Sequence, residues 1–361
     1  MTVLNQTIRD VKNVGKYVCG SGSISELPRY ISELTASQVS PRIIVLLDEF
    51  FATQVHDLCL DGYEVHVVTT DKEPTTEYVD QLNKQINADK QNKPSLFVGI
   101  GGGSTLDITK ALSNLATNPG KASDYQGWDL VLNPSVPKIA VPTISGTGAE
   151  ATRTCVMTNQ DNGIKLGMNS DHSIFDAVIL DPDFLISVPH NQYFFTGMDT
   201  FIHSFEVLNG RYRNAIGDGL SIAAISMIED IFDSEDYRTI DNRQKLMTAA
   251  YLGGMAIATS YVGLVHPISA ALSLHLGTRH CVANCIVMRG MSEFYPKQYD
   301  SFWGWVEKHG IDVPQLHLTE SQAGEIYSSS LMHTKPLTNA FGETFRQTYN
   351  QEVGLRTILK L

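Results

Sequence analysis

Basic side chains are the first shortage. The 361 residues carry 27 Lys and Arg against 39 Asp and Glu, a formal net charge of −12. That balance offers no broad phosphate-neutralising surface, which excludes nucleic acid as a partner. Cysteine is scarce as well, with five residues at positions 19, 59, 155, 281 and 285. An odd, scattered set fits no disulfide framework and points to a reducing, cytoplasmic setting. Cys281 and Cys285 have helical spacing, but no second thiol pair completes a thiolate site, so they read as small buried residues. The opening MTVLNQTIRD lacks the basic and apolar regions of a secretory signal, and without secretion the Asn5-Gln6-Thr7 sequon carries no meaning. Charge is missing altogether from Leu246 to Thr278. By length that stretch could span a bilayer, yet Gly253, Gly254, Gly263, Pro267, several hydroxyls and two histidines interrupt it. It reads as buried helices lining a site, with no membrane partner.

What is present is ordinary for a globular chain: 42% hydrophobic and 18% charged residues. The length implies two domains. In the first half, β-branched apolar runs alternate with helix-compatible segments: residues 42–48, 63–69, 95–100, 138–143 and 177–182 read as strands. Repeated βα units predict a doubly wound α/β domain. After Asp181-Pro182-Asp183 the strand-like runs stop and long helical segments follow. The boundary is placed near 188, giving an α/β domain over 1–187 and an all-helical domain over 188–361.

Val98-Gly-Ile-Gly-Gly-Gly-Ser104 follows a strand and opens a helix. Glycines there let backbone N–H groups approach a pyrophosphate at a helix N-terminus. The usual dinucleotide fingerprint has a third glycine where this chain has Ser104, and no Gly-Lys-Ser/Thr follows for a Walker loop. Asp48, at a strand end, suits hydrogen bonding to an adenosine ribose and repels a 2′-phosphate, which favours NAD over NADP; an ordinary loop aspartate is the other reading. Residues 142–150, Pro-Thr-Ile-Ser-Gly-Thr-Gly-Ala-Glu, form a second loop rich in hydroxyl and amide donors.

In the second half, Asp199 and His203 stand four apart in Gly197-Met-Asp-Thr-Phe-Ile-His203, on one helix face. His266 and His280 lie in or beside the charge-free stretch, where a solvated imidazole has little reason to be. One carboxylate and three imidazoles make an N/O set suited to Zn²⁺ or Fe²⁺. An unbroken helix would separate His266 from His280 by roughly 21 Å. They can share an ion only if the chain reverses, and Gly277-Thr278 supplies a break.

Together these segments resemble the iron-containing (group III) alcohol dehydrogenase family, which also includes glycerol dehydrogenases and, more remotely, dehydroquinate synthase. The matching stretches are 101–110, 142–150, 197–203 and 266–280, within a resemblance running from about residue 15 to residue 295. The resemblance implies a dehydroquinate synthase-like architecture, a divalent metal and NAD, and a homodimer. It makes Asp199, His203, His266 and His280 the metal ligands, Gly102, Gly103 and Ser104 the pyrophosphate turn, and Thr143 and Thr147 cofactor-contacting hydroxyls. It also makes Asp48 the ribose-selecting acid and Lys165 a cofactor-side lysine.

Two departures bear on substrate. Many alcohol-oxidising members carry a histidine four residues past the third ligand; here that position is Ala270, and His275 lies on another helical face. The family's Pro-His-Gly around the fourth ligand reads Arg279-His280-Cys281, and a guanidinium there can grip a substrate carboxylate or belong to a structural ion pair. These features resemble a sugar-acid branch that oxidises the C8 primary alcohol of 3-deoxy-D-manno-octulosonic acid (Kdo) to the aldehyde, ahead of a pathway aminotransferase. The other readings are an NAD-dependent dehydrogenase of a small alcohol or polyol, and a dehydroquinate-synthase-like lyase.

Overall fold

In the computed structural model, residues 4, 7, 8, 10–58, 60–89 and 91–361 are described, so Cys59 and Asn5 and Gln6 of the sequon lie outside them. Compact packing separates Val11–Ser187 from a second unit that contains Val188–Leu361.

The first unit holds a six-stranded parallel sheet built from β1 (Lys16–Cys19), β2 (Ile43–Asp48), β3 (Glu64–Val68), β4 (Leu96–Gly101), β6 (Lys138–Pro142) and β9 (Ala177–Leu180). Their spatial order is β1-β9-β6-β4-β2-β3. Strand β2 shows why the sheet forms. Its run Ile-Ile-Val-Leu-Leu is buried on both faces, as a central parallel strand demands. Val45 and Leu47 pack with Leu27, Tyr30 and Ile31 of α1 (Leu27–Thr35), while Ile44 and Leu46 pack with α2 (Thr76–Ile86) and α3 (Gly103–Leu115) on the other side. Each fully buried aliphatic side chain of this kind contributes roughly 1.5–3 kcal/mol.

Between β2 and β3 the described residues form no α-helix but a 3₁₀ turn, Glu49–Phe51, which Asp48 caps by accepting from the Phe50 N–H at 3.0 Å, followed by further turns. A second, three-stranded sheet joins β5 (Gly127–Trp128), β7 (Thr154–Asn159) and β8 (Ile164–Asn169), with β7 and β8 antiparallel. Glycine has a specific task beneath the phosphate-type turn. A Cβ on Gly99 or Gly101 would stand 2.4 Å from the hydroxyl of Thr109 or Thr105, so only glycine lets α3 lie this close to β4.

The second unit is helical: α4 (His190–Asn209), α5 (Ala215–Asp233), α6 (Ile240–Ser260), α7 (Val265–Leu276), α8 (His280–Val287), α9 (Pro296–Lys308), α10 (Glu320–Ser330), α11 (Thr334–Phe341), α12 (Phe345–Thr348) and α13 (Gln351–Ile358). Helix α4 is buried from Tyr193 to Val207 and packs against α5, α6 and α8. The charge-free stretch is not one helix. Helix α6 ends at Tyr261 (φ 63), and α7 ends at Gly277 in the left-handed region (φ 68), where glycine carries no Cβ penalty. Among the described residues no single helix is long and apolar enough to cross a membrane; α6 and α7 pass that test only as a pair, bent by 104°.

Candidate metal centre and cofactor turn

The centre is assembled from the first turns of two helices and the middle of a third. Asp199 and His203 are buried one turn apart on α4, His266 opens α7, and His280 opens α8. The turn at Gly277 reverses the chain, so His266 and His280 converge despite their sequence separation. One ligand-type atom from each of the four residues lies within 4.8 Å of the others. Asp199 Oδ1 stands 3.6 Å from His203 Nε2, 3.6 Å from His266 Nε2 and 3.7 Å from His280 Nε2. A tetrahedral ion with N and O donors at about 2.0–2.2 Å needs ligand atoms roughly 3.3–3.6 Å apart. The donor set therefore fits Zn²⁺ or Fe²⁺ in both chemistry and spacing.

Protonation suits ligation at Asp199 and His203, whereas His266 must give up a proton to bind a cation. Burial opposes the charge on Asp199, but His203, His280 and His266 overcome it and hold the carboxyl far below its usual range. Burial pushes His203 down to about 3, leaving a neutral imidazole with a free lone pair. For His266, burial is outweighed by Glu206 and Asp199, which push the imidazole up to about 9.

Three neighbours that the motif reading missed complete the centre. Glu206, also on α4, accepts from the Val265 N–H at 2.5 Å through Oε1 and contacts His266 Nδ1 at 2.5 Å through Oε2. That fixes the His266 ring so that Nε2 faces Asp199, a carboxylate–histidine arrangement common behind metal ligands. Asn284, fully buried, donates from Nδ2 to Asp199 Oδ1 at 2.6 Å, and the Cys281 thiol donates to Asp199 Oδ2 at 3.4 Å. Their positions were readable in principle. Glu206 is three residues after His203, and Asn284 four after His280, so each shares its ligand's helix face.

The two departures have clear places. Ala270 puts only a methyl group on α7 where a proton carrier would stand, and His275 is engaged elsewhere, with Nε2 2.7 Å from Ser329 Oγ of α10. Arg279 is exposed at the N-cap of α8, next to His280. Cys281 and Cys285 are buried and form no disulfide with another described residue, and the Cys285 thiol is pushed well up by burial.

In the α/β unit, Gly102 caps α3, whose first residues are Gly103 and Ser104. Gly103 faces Thr147, whose hydroxyl would be 3.0 Å from an added Cβ. The Thr143 N–H donates to Gly101 O at 3.0 Å. The glycine turn and the hydroxyl loop therefore lie against each other at the carboxyl ends of β4 and β6. Ser145 Oγ in that loop is buried with no hydrogen-bond partner among the described residues, as a group kept for a ligand would be. Asp48 Oδ2 accepts from Thr70 Oγ1 at 3.1 Å and from Thr105 Oγ1 at 3.5 Å, at the same edge of the sheet. This donor-rich edge fits a dinucleotide. Lys165 is buried on β8 with Nζ 3.2 Å from Glu73 Oε2, an ion pair that holds its charge in place.

Comparison with known proteins adds the family. Residues 15–182 match the model for "Iron-containing alcohol dehydrogenase", and residues 194–307 match the model for "Fe-containing alcohol dehydrogenase family, C-terminal". Sulfoacetaldehyde reductase of Bilophila wadsworthia is 36% identical over 191 residues, 52% of this chain and 49% of that protein. The chain spans about half the length of the curated relatives it matches. Among solved structures, a 1,3-propanediol oxidoreductase superposes with a TM-score of 0.85 at 21% identity, over 98% of this chain and 100% of that one. Sulfoacetaldehyde reductase from Bifidobacterium kashiwanohense, solved in complex with NAD+, superposes with a TM-score of 0.78 at 22% identity, over 95% and 98%. These structures share the fold of a parallel-sheet unit followed by a helical one. The two family models cover the dinucleotide-type turn and the four-residue cluster alike, and the chain belongs to the iron-containing alcohol dehydrogenase family.

Proposed function

We propose that the chain is a metal- and NAD-dependent oxidoreductase that interconverts a primary alcohol and its aldehyde on a substrate bearing an acidic group. Within that class we propose the C8 alcohol of Kdo. The observation that carries the general reading is the convergence of Asp199, His203, His266 and His280 at ligand spacing. When bound, the divalent cation supplies a Lewis acid for the substrate oxygen, and NAD supplies the hydride acceptor.

The chain's own residues do the rest. Asp199, His203, His266 and His280 hold the cation, while Glu206 fixes the His266 ring. Gly102, Gly103 and Ser104 present backbone N–H groups to the pyrophosphate, Thr143 and Thr147 offer hydroxyls, and Asp48 receives the adenosine ribose. Lys165 stands on the cofactor side. Alcohol oxidation releases one hydride and one proton. Ala270 cannot carry the proton, so no side chain at that position of α7 relays it and water would have to take it. Arg279, beside His280, supports an anionic substrate because its guanidinium pairs bidentately with a carboxylate.

A second reading has its own support: likeness to a sulfoacetaldehyde reductase favours a short acidic aldehyde. Absorbance at 340 nm separates the readings. Purified protein loaded with Zn²⁺ or Fe²⁺ is given NAD with Kdo, 1,2-propanediol or glycerol, and NADH with sulfoacetaldehyde. Faster turnover of Kdo is expected. Preference for sulfoacetaldehyde or an uncharged diol replaces the Kdo assignment, and accumulation of NADH with any of the alcohols excludes the lyase reading.

A further inference from the structure

Strands β4 and β6 run side by side with Gly101 opposite Pro142, so the loop that leaves β6 starts beside the glycine turn that leaves β4. Close contacts press that loop onto the turn. The Thr143 N–H donates to Gly101 O at 3.0 Å. Ile144 packs over Gly102, where an added Cβ would meet its side chain at 3.6 Å, and Thr147 stands over Gly103 in the same way at 3.0 Å. Ser145 lies between Ile144 and Thr147 in this layer and is only 2% exposed.

Neighbouring hydroxyls are engaged inside the fold. Thr147 Oγ1 accepts from the Ala149 N–H at 3.2 Å, Thr109 donates to Thr105 O at 2.8 Å, and Thr105 donates to Asp48 Oδ2 at 3.5 Å. The Ser145 hydroxyl has no partner among the described residues. A buried O–H that has left water without gaining an acceptor weakens the fold, and an alanine of nearly the same shape would avoid that cost. With no hydrogen bond holding its rotamer, a turn about χ1 carries Oγ to another staggered position within the layer. What it lacks is an acceptor. The glycine turn opens α3, whose first N–H groups have no partner within the helix and are donors too. Donors on both sides of one layer call for a ligand group that only accepts, and at a helix N-terminus that group is an anion.

We propose that the Ser145 hydroxyl donates to the diphosphate of NAD, alongside the loop hydroxyls of Thr143 and Thr147. The inference rests on the dinucleotide reading of this sheet edge and adds a residue whose hydroxyl the fold itself does not use. Diphosphate oxygens accept without donating, so one group satisfies Ser145 and the α3 N–H groups together.

Ser145→Ala tests this through readouts that move in opposite directions, taken on the full chain loaded with Zn²⁺. Thermal unfolding without cofactor reads the fold. Isothermal titration calorimetry reads Kd for NAD, for ADP-ribose and for adenosine, which lacks the diphosphate. The variant is expected to melt at or above the wild-type temperature, because it buries no unpaired hydroxyl. It should bind NAD and ADP-ribose about tenfold more weakly and adenosine with unchanged affinity. A fixed concentration of NAD should also raise its melting temperature less than that of wild type. A lower melting temperature without cofactor shows that the hydroxyl already serves the fold, and overturns the inference. So does an unchanged Kd for NAD and ADP-ribose, or an equal loss for adenosine, the mark of a disturbed loop. If wild type binds neither NAD nor ADP-ribose, the dinucleotide reading itself fails.

Discussion

Glu206 is where a single charge does most for this centre. Its carboxylate is buried, accepts the Val265 N–H and grips His266 Nδ1, and with Asp199 it pushes that imidazole up to about 9. A Glu206→Gln variant keeps the shape and an acceptor for Val265 but removes the charge that makes the ring a better donor. Metal affinity should fall by about 10–100-fold, the range for losing a partner behind a ligand. Metal content after gel filtration against a dilute chelator checks it, and full occupancy would count against the role. The four ligand-type residues were legible because Asp199 and His203 are four apart and His266 and His280 sit in or beside a stretch without charge. Glu206 and Asn284 were not singled out, and Cys281 was read only as a small buried residue, because a carboxylate, an amide and a thiol on a buried helix face are common for packing reasons. Their meaning arises only when α4, α7 and α8 meet.

Among elements, the legible parts were those fixed by local burial pattern. Continuous apolar runs marked β2, β3, β4, β6 and β9, and the loss of such runs after Asp183 marked the helical unit. The β7–β8 hairpin escaped, although its signal exists: alternating burial in Thr154–Asn159 and an Asp161-Asn162-Gly163 turn with Gly163 at φ 64. Between β2 and β3, where helix-compatible sequence leads one to expect a helix, the described residues form a 3₁₀ turn capped by Asp48 and then irregular turns. Longer-range ties cannot be read from pattern. Asn339 of α11 is fully buried and donates to Tyr261 O at 3.1 Å and Val262 O at 3.0 Å, while its Oδ1 accepts from the Tyr212 N–H at 2.8 Å. It thus staples the segment after α4 to the segment before α7, across 78 residues of sequence to Tyr261. The staple also holds Tyr261 at φ 63, ψ 162, a conformation that costs a side-chain-bearing residue about 1–3 kcal/mol. Asn339→Ala should destabilise the protein by about 1–3 kcal/mol, since it strands the buried Tyr261 and Val262 carbonyls and the Tyr212 N–H, a loss that any relaxation of Tyr261 offsets only in part. Urea unfolding checks it, and a midpoint within error of wild type would remove the staple from the account.

For the whole molecule, cation binding and buried acids act on stability in separable ways. A cation held only by the folded chain stabilises it by about 2.7 kcal/mol at a hundredfold excess over Kd. Chelation should therefore lower the Tm of wild type but leave that of His280→Ala nearly unchanged, as scanning calorimetry would read. The pH dependence is set elsewhere. Burial pushes Glu150 up to about 7, against the opposing pull of Lys110, and pushes Asp107 up to about 6. For an acid whose folded pKa is raised, the native state binds more protons than the unfolded chain between the two values. Stability then falls as pH rises through that window, by at most about 1.4 kcal/mol per pH unit for each group. Lys138, pushed down to about 7 by burial, has the opposite sign: the unfolded chain binds more protons above 7, so stability recovers as pH rises toward the ordinary lysine range. The two windows meet near pH 7, so these groups together place a local minimum of stability close to neutrality. Glu150→Gln isolates one arm. The variant should gain on wild type steadily from pH 4.5, the ordinary glutamate value, to about 7, and hold a constant advantage above it. Thermal unfolding of both proteins across pH 4.5–8 measures the difference. A gap that stays flat below pH 7 would show that Glu150 ionises normally in the fold and that its burial is relieved by contacts other than Lys110.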